Sequence, residues 1–158
     1  MNVEQAYIKY NDTEKVITIV KQRLGGKLPN IALDEHLSDF DSYNTILAGN
    51  LKRKVALSVS KNGWITMIES KEVNDNALLL YISKELNTDV LSVVQSDITG
   101  TWGVVEMSKG SVISSYLSEE DDEIEGLIIG KLEEHSIDEP LHMFREVVKN
   151  VDWTIIQI

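Results

Sequence analysis

The chain has 158 residues, enough for one domain that buries about two thirds of the surface its unfolded form exposes. Cysteine is absent, which excludes disulfides, thiolate metal sites and cysteine nucleophiles and fits a reducing compartment. The 26 acidic and 15 basic residues give a formal net charge of -11, a field that repels phosphate backbones and anionic lipid and attracts basic proteins.

Neither nucleic acid nor a membrane is therefore an expected partner. The opening Met-Asn-Val-Glu-Gln has no basic region and no apolar stretch. The longest apolar run, Ala77 to Ile82, is far too short to span a bilayer, so a cytoplasmic location is expected.

Val3 to Tyr10 is rich in residues that suit a pleated surface, and Asn11 with Glu14 offers a capping-box start for a helix over Asp12 to Leu24. Val16, Ile17, Val20 and Leu24 recur there at helical spacing, and Gly25-Gly26 supplies residues that a helix end prefers. From Lys27 to Ser42 the periodicity is lost, Pro29 interrupts, and acids cluster at Asp34, Glu35, Asp39 and Asp41. This is a long connection and a candidate functional loop. Tyr43 to Ala48 reads as a short strand, followed by the basic trio Lys52, Arg53 and Lys54.

Val55 to Ser60, Asn62-Gly63 and Trp64 to Glu69 form the clearest hairpin, because Asn-Gly tolerates the positive dihedrals of a two-residue type I′ turn. With Lys61 opposite Trp64, the register places Val59 against Thr66 and Leu57 against Ile68. Val55, Leu57, Val59, Trp64 and Ile68 would then share one core face. A second helix follows from about Asp75 to Leu86, capped by Asn74 or Asp75, with Leu78, Tyr81, Ile82 and Leu86 as its stripe and Asn87 ending it in a left-handed conformation.

Val90 to Gln95, Thr101 to Met107 and Ser111 to Leu117 read as an antiparallel meander with turns at Asp97 to Gly100 and Ser108-Lys109-Gly110. The acids of Ser118 to Glu123 favour a helix start, which Leu127, Ile128 and Leu132 continue. Another helix is expected over Leu141 to Lys149, and the chain closes on a strand, Trp153 to Ile158, that enters the sheet. The edge beside that strand is a candidate homodimer seam.

The fold class is thus α+β in one domain over 1–158, with a mostly antiparallel sheet. Two halves, 3–60 and 64–117, share a strand–helix–strand–strand order with their helices on one side. A C-terminal extension, 118–158, adds a helical pair and the final strand. Duplicated units of this order resemble small-molecule-sensing domains of some bacterial regulators, in which a ligand lies between the halves; the likeness is one of element order and carries no residue.

No Gly-x-Ser-x-Gly elbow, Gly-x-x-x-x-Gly-Lys-Ser/Thr loop or Gly-x-Gly-x-x-Gly fingerprint is present, so no enzyme class and no cofactor is indicated. Glu139 and His142 have the i,i+3 spacing of a carboxylate–imidazole metal pair, but it occurs once; a helix-start role for Glu139 and a surface position for His142 fit better. Glu119 to Glu125 lacks the spacing of a calcium loop. The leading expectation is a non-enzymatic protein of inhibitor or immunity type, binding a basic protein through Asp34, Glu35, Asp39 and Asp41 or through Glu119, Glu120, Asp121 and Asp122. The alternatives are a ligand pocket between the halves lined by Trp64, Tyr81 and Trp102, and a hydrolase or metal-dependent enzyme using the loop carboxylates.

Overall fold

The computed structural model describes residues 2–25, 54–70, 75–96, 101–118 and 122–157. Within them lie strands β1 (Asn2–Lys9), β2 (Lys54–Ser58), β3 (Trp64–Glu69), β4 (Asp89–Ser96), β5 (Thr101–Ser108), β6 (Ser111–Ser118) and β7 (Trp153–Gln157). The helices are α1 (Thr13–Leu24), α2 (Asn76–Glu85), α3 (Asp122–Glu134) and α4 (Phe144–Val147).

All seven strands form one antiparallel sheet in the order β6-β5-β4-β1-β3-β2-β7. Its centre, β4-β1-β3-β2, is the interleaved plan of a ferredoxin-like fold. The units β1-α1-β2 and β3-α2-β4 each leave a gap that a strand of the other fills. β5 and β6 extend one edge and β7 the other, so the final strand does enter the sheet.

Alternation along β1 separates the two faces of the sheet. Ala6 and Ile8 join a large apolar cluster with Val16, Ile17 and Val20 of α1 and Leu78, Leu79 and Ile82 of α2. Tyr7 instead joins Trp64, Leu91, Val93 and Val104 against Ile128 and Ile137 of the C-terminal extension. Both helices of the halves therefore cover one face, as their order implied, and the extension covers the other.

The Asn-Gly turn forms as expected, with φ of 53° at Asn62 and 83° at Gly63 and paired Lys61 and Trp64 backbone bonds of 2.9 Å. The register beyond it differs from expectation by one residue: Leu57 faces Met67 and Ala56 faces Ile68. The cause lies at Ser58 and Val59. The Thr66 N–H donates to Ser58 Oγ at 2.9 Å in place of a backbone carbonyl, while the Val59 N–H leaves β3 and donates to the Asp152 carbonyl at 3.0 Å. The extra residue flips the face, as a bulge does. Val55 and Leu57 join the α1/α2 cluster, Trp64 and Ile68 face the other way, and Val59 is 46% exposed.

Helix ends are set by particular side chains. α1 is capped by Asp12, not Asn11, through a 3.1 Å bond from the Glu14 N–H; its C-terminal Gly25 has an ordinary φ of -78°. α2 is capped by the buried Asp75, which accepts from the Leu78 N–H at 3.1 Å and pairs with Arg23 of α1 at 2.9 Å. Asn87 follows it with φ of 50°. The helix expected over Leu141 to Lys149 is reduced to the single turn of α4. The residues before it are not helical, and several of their backbone groups are engaged from β1, as described next. The expected strand Tyr43 to Ala48 lies outside the described residues.

Candidate functional site

α3 and the segment after it form a layer on the sheet face that carries Tyr7 and Trp64. Leu127, Ile128 and Leu132 recur at helical spacing and seat α3 on the sheet. Lys131 and His135 fall on the same stripe and point at β5, where Glu106 occupies an inward position of an otherwise apolar row. Glu106 Oε1 lies 3.2 Å from Lys131 Nζ and 3.5 Å from His135 Nε2, and its Oε2 accepts from Ser114 Oγ at 2.7 Å. Burial would push this carboxyl up, but the bonds from Ser114, Lys131 and His135 outweigh burial and hold it below the usual carboxylate range. The same ion pair raises the Lys131 pKa.

A second set of polar contacts ties down residues 137–143. Gln5 Nε2 donates to the Pro140 carbonyl at 2.8 Å and its Oε1 accepts from the His142 N–H at 2.8 Å. Tyr7 Oη accepts from Gln5 Nε2 and donates to the Glu139 carbonyl, both at 2.9 Å. Both side chains are fully buried, and burial, with some help from the Glu139 charge, pushes the Tyr7 phenol well up. The Glu139 carboxylate accepts from His142 Nε2 at 2.7 Å and Lys61 Nζ at 3.2 Å, and Asp138 accepts from Asn62 at 2.8 Å, so the hairpin tip is fastened to the same segment. Each imidazole meets a tryptophan edge-on: His135 and Trp64 at 5.4 Å, His142 and Trp153 at 5.9 Å.

The bonds around Glu106 differ from those of a nucleophilic triad. In a nucleophilic triad the hydroxyl bonds to the imidazole, whereas Ser114 donates to Glu106 itself. Glu139 and His142 are bonded, but in an irregular segment rather than at a helix start, and His142 is half-buried rather than on the surface. Among the described residues, no group of three or more His, Asp or Glu side chains could hold a metal ion.

The proposed pocket residues do not meet. Trp64 is buried with its indole N–H donating to the His135 carbonyl at 3.0 Å, and Trp102 packs on the same cluster. Tyr81 lies on the opposite face of the sheet, in an open groove of about 470 Å³ between α1 and α2. The cavity nearest Trp64, between the hairpin tip and Ile137, holds about 130 Å³, below the few hundred that a metabolite pocket needs.

Of the acidic candidates, Asp34, Glu35, Asp39, Asp41, Glu119, Glu120 and Asp121 lie outside the described residues, and Asp122 opens α3. The rest of the layer shows where the charge goes. Glu133 and Asp138 are exposed, as is Glu134, whose side chain is 63% accessible. Residues 119–139 hold ten of the 26 acidic side chains and one of the 15 basic ones, so this segment carries -9 of the net -11. Its one lysine is turned inward to Glu106 and touches Glu134 at 3.6 Å. The -9 is thus a property of one sequence segment, of which the structure shows Glu133, Glu134 and Asp138 exposed. Gln5, Tyr7, Glu106, Lys131 and His135 were not singled out in the sequence; the signal for Glu106 was a charge at an inward position between Val104 and Met107.

No family model matches the chain, and neither a curated protein nor a solved structure matches it. Among the described residues no helix is long and apolar enough to cross a membrane.

Proposed function

We propose that this protein is a binding protein that captures a basic protein partner on the acidic outer side of its C-terminal layer. The observation that carries this reading is the concentration of -9 in residues 119–139, while the remainder of the chain is close to neutral. A field from one side of a molecule steers an oppositely charged partner into a defined orientation and raises its association rate, most strongly at low salt. The described part of the layer is tied to the sheet by apolar seating of α3 and by the Gln5, Tyr7 and Glu106 bonds, which lowers the ordering cost of binding through Glu133, Glu134 and Asp138. An inhibitor or immunity-type role toward a basic toxin is the form of binding that such a surface suits.

The test is affinity capture from native lysate at low and high salt, followed by association kinetics with the captured partner. A basic partner is expected, with an association rate at least about tenfold slower for the variants Glu133→Lys/Glu134→Lys and Glu120→Lys/Asp121→Lys/Asp122→Lys. Rates equal to wild type in both variants, or binding indifferent to salt, would remove this layer as the binding surface.

A further inference from the structure

The two edges of the sheet are built differently. β6 carries an irregularity opposite Glu106 and Met107, where its pairing shifts between Val112 and Ser114. Such a bulge twists an edge away from further pairing. β7 pairs with β2 through five consecutive residues without interruption, contains no charge and no proline, and exposes Thr154, Ile155 and Gln157. Among the described residues, β7 carries none of the charge, proline or bulge that usually protects an edge strand.

Which backbone groups of β7 face outward follows from one bond. The Val59 N–H donates to the Asp152 carbonyl, so Asp152, and by alternation Thr154 and Ile156, direct their backbone groups at β2. Trp153, Ile155 and Gln157 therefore direct theirs away from the sheet, and the Trp153 N–H is already taken by the Asn150 carbonyl at 3.1 Å. Among the described residues around β7, the exposed apolar side chains include Val59, Val148, Val151 and Ile155, Val151 being 97% accessible.

We infer that β7 is the seam of a homodimer, in which two copies pair antiparallel about a twofold axis beside Ile155 and form one continuous sheet. The register is self-consistent. A twofold axis perpendicular to a sheet must pass beside a residue that pairs with itself, and Ile155 lies at the centre of β7 with both its backbone groups outward. Ile155 then exchanges both backbone bonds with the partner subunit's Ile155, and the Gln157 N–H donates to the carbonyl of the partner subunit's Trp153. Head-to-tail joining of β7 to β6 is disfavoured, because the irregularity of β6 interrupts the regular pairing an added strand would need.

The self-pairing register selects a second copy as the occupant, and the charge distribution leaves that approach open. Two chains of net -11 repel, yet α3 packs on β5, five strand spacings or about 24 Å from β7. That distance is about three Debye lengths at physiological salt. β7 itself carries no charge, so two chains can approach along it with α3 of each copy far from the seam.

Sedimentation equilibrium or light scattering on the full chain tests this. The expected mass is twice the 17.8 kDa of the chain, falling by half in Ile155→Pro, which removes only an outward N–H, and in Ile155→Lys, which places a charge at the axis. Far-UV circular dichroism checks that each variant is folded. A wild type that is monomeric at its highest soluble concentration overturns the inference, as does a dimer that persists in a folded Ile155→Lys or Ile155→Pro variant. The proposed partner binding is read separately, since neither substitution touches residues 119–139.

Discussion

On one face of the sheet, α1 and α2 pack on β1, β3 and β4 through one large aliphatic cluster, with the Arg23–Asp75 pair and the Ser92–Asn76 bond beside it; on the other, the C-terminal layer is held by a mixture of aromatic packing and buried polar bonds. The first kind of contact is non-directional and tolerates small shifts. The second fixes position, since each bond has one geometry and a lost partner leaves a desolvated group behind. The difference assigns the two layers different work. The α1/α2 face supplies stability, while the opposite face sets where an acidic surface sits relative to the sheet.

Breaking the aliphatic face should have the largest effect. Leu79→Ala, at a fully buried position of α2, is expected to cost about 3 kcal/mol of global stability, read as a lower urea midpoint with unchanged slope. A loss under about 1 kcal/mol would show that this face is not the main source of stability.

The polar face should respond locally. Gln5→Ala removes the bonds to the Pro140 carbonyl, the His142 N–H and Tyr7 Oη and is expected to cost about 2 kcal/mol. Amide exchange should rise in residues 137–147 well before it rises in α1 and α2. Uniform acceleration across the chain would mean that the layer and the core open together and that the contrast between the faces is false.

The smallest effect concerns pH. Glu106 has its pKa lowered in the folded protein, so its contribution to stability is fully present above the ordinary glutamate value of about 4.5 and is lost as pH falls through the lowered folded value. Stability measured between neutral pH and about pH 3 should therefore fall less steeply in Glu106→Gln than in wild type. Parallel curves would show that the carboxylate's partners contribute nothing specific to its ionised form.

Much of the fold was legible because it rests on local chemistry. The Asn62-Gly63 turn, the stop at Asn87, the cap at Asp75 and the apolar stripes of α1 and α2 all follow from the residues at those positions and their immediate neighbours. The meander β4-β5-β6 followed from strand propensity and short turns, with Lys109 and Gly110 at φ of 51° and 90°. The candidate site was less legible. The acids of the C-terminal segment stood out as a run of charge. The side chains that anchor the segment did not, because a glutamine and a tyrosine on an apolar strand look like ordinary strand residues until their partners are known.

By itself, the sequence determined the kinds of element, most of their limits, the α+β class and the total charge, since periodicity, caps and turn residues act within a few positions of one another. Only the tertiary structure decided the register of β2 on β3, the side of the sheet taken by Trp64, and the non-helical course of residues 137–143. Those depend on Ser58 standing in for a backbone acceptor and on Gln5 and Tyr7 reaching partners more than 130 residues away in the chain. No local pattern encodes such contacts, because each is a meeting of one side chain with a backbone group that becomes available only after the sheet has formed.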